Sequence, residues 1–151
     1  MTDLQEPLDR RAARVLLIDR DSRVLLFHGR DPVDDSRGRW WFTPGGGLDE
    51  GETPAEGAAR ELLEETGLVV DPAALGPVVH RRVTVFPWGE VTYRQEEDYF
   101  VLRIDAHEVD TSGFNEVEVR AVLGHRWWSV PELAATAETY YPRELLELLP
   151  C

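Results

Sequence analysis

The sequence predicts an α/β sandwich built on a mixed sheet, and three observations carry that expectation. Apolar runs of strand length stand on both sides of one strongly capped helix, and further helical segments close the chain. The composition, 42% hydrophobic and 30% charged, is that of a globular protein. The length of 151 residues is that of a single domain, which buries about 70% of its unfolded surface without disulfide or metal staples.

Taken in order, residues 1–12 are polar and read as a loosely held lead-in. Residues 15–18 and 24–28 are short apolar runs around Asp19-Arg20-Asp21-Ser22, the pattern of a hairpin. A polar loop over 31–38 leads to a strand over 40–43, stopped by Pro44-Gly45-Gly46-Gly47. Then comes the clearest helix. Thr53 is its N-cap, Pro54 its first residue, and Glu56 completes a capping box. It should run to Thr66 and stop at Gly67, burying a stripe of Ala55, Ala58, Ala59, Leu62 and Thr66. Strands follow over 78–86 and 91–104, joined by Pro87-Trp88-Gly89. A last strand is expected over 125–130, a short helix from Pro131 and another over 143–149.

Charge narrows the function classes. The net charge is −13, which repels long nucleic acid and anionic membranes. All 16 basic residues are arginine, so a lysine nucleophile is excluded and every cationic contact is a planar guanidinium suited to phosphate. The single cysteine, Cys151, excludes an intramolecular disulfide. No apolar run approaches the ~20 residues of a membrane span, and the first residues lack the apolar core of a signal peptide, so a cytoplasmic location is expected. His28, His80, His107 and His125 have no ligand spacing for zinc.

The chemistry concentrates on the capped helix. Glu61, Glu64 and Glu65 lie at i, i+3 and i+4 and project from one face. Carboxylates packed this way repel one another unless a cation sits among them, and carboxylate oxygens suit a hard divalent ion, Mg²⁺ or Mn²⁺. Arg60 is placed to hold a carboxylate, and Gly45-Gly46-Gly47 lets backbone approach a ligand closely. A cation, a backbone cradle and a carboxylate base together suit attack of water on a diphosphate. An acidic helix face alone is an ordinary solvated surface; the wider pattern is what sets this one apart. From Gly46 the chain reads G-x5-E-x7-R-E-U-x-E-E-x-G-U, with U a bulky aliphatic. The matches are Gly46, Glu52, Arg60, Glu61, Leu62, Glu64, Glu65, Gly67 and Leu68. Chance would produce this on the order of once in a million chains.

That motif is the Nudix box, and over residues 46–68 the chain resembles the Nudix hydrolases, MutT-like proteins with an α/β/α sandwich fold. The resemblance implies a loop–helix–loop that binds Mg²⁺, with Mn²⁺ as substitute, and cleaves a pyrophosphate bond in a nucleoside diphosphate linked to another moiety. It makes Glu61, Glu64 and Glu65 metal ligands, with Glu61 the general base in some members. Arg60 is the residue that orients them and Glu52 the acid that braces the loop, with Thr53 and Gly67 as structural support. A main-chain carbonyl of Gly45 or Gly46 is a further ligand, and a glutamate before the last strand, Glu116 or Glu118, is another. Arg30 and Arg39, with Gly46 and Gly47, are candidates for the substrate phosphates, and Trp88 for stacking a base.

Signals of substrate are weak. Where ADP-ribose members carry a proline this chain has Arg82-Val83-Thr84, and where diadenosine polyphosphate members carry a tyrosine it has Val85 and Phe86. The expected partner is a small nucleotide, with no long nucleic acid and no membrane, and a homodimer is left open. Two alternatives stand beside this reading: a nucleoside triphosphate pyrophosphatase of the nucleotide-sanitising kind, and a non-catalytic nucleotide sensor. A sensor has no need of the complete carboxylate set.

Overall fold

The computed structural model describes residues 6–150. Its spine is the pairing of β1 (Leu8–Ile18) with β6 (Val91–Arg103), parallel and unbroken from Leu8 opposite Tyr93 to Ile18 opposite Arg103. Strand β5 (His80–Trp88) completes that side, antiparallel to β6. On the other side β2 (Val24–Arg30) pairs with β3 (Arg39–Phe42) along one edge and with β7 (Val122–Trp128) along the other. Tyr140–Tyr141 forms β8, parallel to β3.

The hairpin expected over residues 15–28 exists only at its turn. There the Asp19 carboxylate accepts from the amides of Asp21 and Arg23 and from the Arg23 guanidinium. Beyond the single pair Ile18–Val24 the two strands part. The edge of β1 that β2 gives up is taken by β4 (Gly45–Gly47), with Arg14 opposite Gly45 and Ala12 opposite Gly47. The glycines read as a strand stop are therefore a strand; weak intrinsic propensity is overridden by tertiary pairing.

The lead-in is shorter than expected. Residues 8–12 already belong to β1, because Leu8 to Ala12 pair with Tyr93 to Glu97. Residues 1–5 of that lead-in lie outside the described residues, as does Cys151.

The sheet separates two apolar layers. On one face Val15, Leu17, Leu25, Phe27 and Phe100 pack against Ala58, Ala59 and Leu62 of α1 (Pro54–Thr66). On the other, Leu16, Leu26, Trp41 and Trp128 pack against Leu133 of α3 (Val130–Ala135) and Leu145 of α4 (Leu145–Leu148). Successive residues of β1 and β2 thus serve opposite layers, as pleating requires. This is the α/β/α sandwich that the sequence predicts.

Two strands are shifted from their expected places and one helix is new. Pro87 and Trp88 continue β5, and the turn is Gly89-Glu90, with Gly89 at φ 61°. The last long strand occupies 122–128, not 125–130, since Ser129 caps α3 and draws Val130 into it. Residues 116–121, unassigned from sequence, form α2 (Glu116–Ala121). No helix among the described residues is long and apolar enough to cross a membrane.

Candidate active site

The helix that carries the acidic face is fixed at both ends. The Thr53 hydroxyl accepts from the Glu56 amide at 3.2 Å, and the Glu56 carboxylate accepts from the Thr53 amide at 3.0 Å. At the other end Gly67 takes the left-handed conformation, φ 75°, and donates its amide to the Leu63 carbonyl. The expected stripe is present: Ala58, Ala59, Leu62 and Thr66 are buried, and Ala55 packs against the same layer. Burying that stripe leaves Glu61, Glu64 and Glu65 toward a cleft of about 670 Å³.

Arg60 organises the near wall. Its guanidinium donates to both Glu52 oxygens at 2.7 and 2.9 Å, to the Gly47 carbonyl at 3.0 Å, to Glu61 at 3.1 Å and to Glu64 at 3.2 Å. Glu52 also accepts from the Asp49 amide, so one carboxylate ties the loop to the helix. The hydrogen bonds from Arg60 hold Glu52 below the usual carboxylate range, and Glu52 in turn raises Arg60.

Glu65 lies deepest, 3% exposed. The Gly45 amide donates to it at 2.7 Å, and among the described residues it has no ion-pair partner within salt-bridge distance. Gly45 stands at φ 141°, and a Cβ there would lie 2.2 Å from the Ala13 carbonyl oxygen, so glycine is required for this approach. Burial pushes Glu65 well above the usual carboxylate range, and the charge of Glu61 adds to that. Glu61 is raised by burial too, against the opposing pull of Arg60.

Oxygens of Glu61, Glu65 and Glu118 lie within 4.8 Å of one another. The structure thus separates the two outlying candidates. Glu118 joins the group, while Glu116 is exposed in the first turn of α2 and stays outside it. Glu118 arrives from a capped helix. Its amide meets the Asn115 side chain at 2.8 Å, and its carboxylate meets the Asn115 amide at 3.1 Å. Glu64 stands apart from the trio at the rim, its side chain 43% exposed and tied to Arg60. Gly46 faces the trio, since a Cβ on it would lie 2.7 Å from a Glu61 oxygen.

The two arginines expected at the substrate phosphates do not line the cleft. Arg30 donates to the Arg120 carbonyl at 3.0 Å, and Arg39 is tied to the exposed Asp35 at 3.3 Å. Both are drawn to Asp35 of the 3-10 turn Asp35–Arg37, and Arg30 also to the end of α2. The cleft takes other arginines: Arg10 and Arg14 from β1, Arg37 from that turn, and Arg82 from β5. Sequence reasoning missed these. The signal was present in the alternation of Arg10, Ala12 and Arg14, which share one face once residues 8–12 are read as strand. Trp88 does line the cleft, as do Phe86 and Trp40.

A second acid, Glu97, forms part of the cleft floor. It is 4% exposed and accepts from Arg14 at 2.8 Å, Gln95 at 2.8 Å and Tyr99 at 3.2 Å, with Arg82 at 2.9 Å. Burial alone would raise it, but the charge and hydrogen bond of Arg14, the charge of Arg82 and the hydrogen bond of Gln95 together outweigh that and hold it below its usual range.

Comparison with known proteins agrees with this geometry. The chain is 32% identical over 114 residues to an RNA pyrophosphohydrolase of Erythrobacter litoralis (strain HTCC2594), covering 67% of this chain and 65% of that relative. The chain spans less than two thirds of the length of the curated relatives it matches. Its fold superposes on a MutT protein from Methanosarcina mazei Go1 with a TM-score of 0.69 at 19% identity, covering 96% of this chain and 93% of that one. A MutT NUDIX hydrolase from Burkholderia pseudomallei gives 0.65 at 21%, with 94% and 98% covered. The family model described as the NUDIX domain matches residues 8–149, nearly the whole of the sandwich and every acid of the cleft, and the chain therefore belongs to the NUDIX domain family.

Proposed function

We propose that the protein is a metal-dependent hydrolase that cleaves a pyrophosphate bond in a nucleoside diphosphate linked to another moiety. The observation that carries this is Glu65. It is a buried carboxylate without an arginine partner among the described residues, grouped with Glu61 and Glu118 in an open cleft. Three carboxylates gathered with a single guanidinium, that of Arg60 on Glu61, fit a hard divalent ion, Mg²⁺ or Mn²⁺, through Glu61, Glu65 and Glu118. Gly45 or Gly46 would add a carbonyl, and Glu64 a contact through water at the rim. Bound there, such an ion supplies charge neutralisation to the reacting phosphate.

The chain's own residues do the rest. Water adds to one phosphorus of the anhydride, and the other phosphate leaves with the bridging oxygen. Glu61, raised by burial, is suited to take the proton of that water, and Arg60 keeps its carboxylate aimed at the cleft. Glu52 keeps Arg60 in place. The aromatic rings that line the cleft, Trp40, Phe86 and Trp88, suit the face of a nucleobase.

A second reading follows from the printed name of the relatives, RNA pyrophosphohydrolase. The 5′ end of an RNA presents a similar anhydride, but a net charge of −13 opposes a long polyanion. A panel tests both readings: ADP-ribose, nucleoside triphosphates, dinucleoside polyphosphates and 5′-triphosphorylated RNA, each with MgCl₂ and with EDTA, products resolved by ion exchange. We expect cleavage of a soluble nucleotide that EDTA abolishes and MgCl₂ or MnCl₂ restores. Cleavage of RNA alone would establish the second reading. Binding without cleavage of any substrate would leave the sensor, and full activity in excess EDTA would remove the metal role.

A further inference from the structure

Among the described residues, the cleft contains one arginine that the fold does not pair. Arg14 is tied to Glu97, Arg37 to Asp31, Arg60 to Glu52, and Arg82 to Glu97. Arg10 lines the same cleft, yet among the described residues it donates no side-chain hydrogen bond and pairs with no carboxylate. It is nonetheless held in place. Its guanidinium lies 5.1 Å from the centre of the Tyr93 ring, a cation–π contact. Its other neighbour is the backbone of Gly47, where a Cβ would lie 2.4 Å from the Arg10 Nε. A side chain at position 47 would displace the guanidinium from this place.

The local charge is also unbalanced. Arg10 and Arg14 project from the same face of β1 and repel each other, while the nearby buried acid Glu97 is already committed to Arg14 and Arg82. Half-buried, positioned by an aromatic ring and glycine backbone, and close enough to feel the charge of Glu61, Arg10 presents a free fork of donors to the cleft. Such a fork matches a phosphate oxyanion.

We propose that Arg10 is a phosphate-binding residue, whose guanidinium receives the substrate phosphate lying away from Glu61, Glu65 and Glu118. This deepens the pyrophosphohydrolase reading and rests on it for the identity of the ligand. One phosphate of the anhydride meets the acidic group, and the other meets Arg10. Glu61 and Arg10 then lie on the two sides of the bond that breaks.

The test is titration calorimetry with a probe that cannot be cleaved, the α,β-methylene analogue of ADP, in MgCl₂. Arg10→Ala should weaken binding roughly ten- to a hundredfold, the loss of a charge-assisted hydrogen-bonded pair. Arg10→Gln, which retains a stem to cover Tyr93, should lose nearly as much and serves if the alanine variant does not fold. Arg10→Lys should fall between, since it keeps the charge and loses the fork. Arg103→Ala, which removes one positive charge at an exposed position outside the cleft, should bind as wild type does. Unchanged affinity in a folded Arg10→Ala or Arg10→Gln protein overturns the proposal, even if the wild type cleaves nucleotides. So does a wild type that fails to bind the analogue. Binding that depends on Arg10 in a protein that cleaves nothing upholds Arg10 and removes the hydrolase reading.

Discussion

Two glutamates of one cleft, Glu65 and Glu97, are almost equally buried, at 3% and 4% exposed, and have opposite electrostatics. Glu97 is saturated by Arg14, Arg82, Gln95 and Tyr99, and its carboxyl sits below the usual range. Glu65 has a single amide donor and acidic neighbours, and its carboxyl is pushed well above that range. Burial is the same; the partners differ. Desolvation costs a carboxylate several kcal/mol, and a protein either offsets it with its own cations or reserves the site for something that will. Glu97 therefore belongs to the framework of the cleft and Glu65 to its chemistry.

The sharpest way to break this contrast is to neutralise each acid in turn. Glu65→Gln should lower turnover by orders of magnitude in MgCl₂ and leave the fold intact, measured as initial rates beside a thermal melt. Glu61→Gln should cost roughly 10²–10⁴-fold if its role is that of general base alone. A wild-type rate in both variants would remove the box from the active site. Glu97→Ala should act on the framework instead. It leaves Arg14 buried without its partner, which costs about 3–5 kcal/mol of unfolding free energy, read from urea denaturation at neutral pH. An unchanged midpoint would show that Glu97 contributes nothing structural.

A finer test is the sign of the pH dependence in metal-free protein. The folded pKa of Glu65 lies above its unfolded value, so the native state binds this proton more tightly. Its contribution is fully present in acid and is lost as pH rises from the ordinary carboxylate value through the raised one. Glu97 behaves oppositely. Its contribution is present above the ordinary value and is lost as pH falls through the depressed one. Glu65→Gln should thus raise the metal-free melting temperature at neutral pH, with the gain fading toward acid. Glu97→Gln should lower it at neutral pH, with the loss fading toward acid. Shifts of the same sign in both would erase the distinction.

What the sequence made legible follows from the range of each interaction. The capped helix was readable because Thr53, Pro54, Glu56 and Gly67 act within one turn of their own positions. The same local grammar exists at Asn115 and Glu118, a capping box that marks α2 and would have separated Glu118 from Glu116. The strand over Gly45–Gly47 was not readable, because nothing in three glycines favours a strand until β1 lies beside them. Arg10 and Arg82 escaped for a related reason. Their place in the cleft depends on strands brought together from distant parts of the chain, whereas Arg30 and Arg39 are held outside it by Arg120 and Asp35.

The spine of the sheet has a kinetic consequence. The parallel pairing of β1 with β6 joins Leu8 to Tyr93, 85 positions apart, so a large loop must close before the first contact of that ladder forms. Contacts of this span slow folding, and α1, with its capping box, can gain order from local contacts much earlier. The glutamates of the helix should therefore be gathered on one face well before Arg10, Arg14 and Glu97 arrive opposite them. Pulsed hydrogen exchange during refolding would then show the amides of α1 protected first and those of β1 and β6 last, with the cleft complete only when the ladder closes.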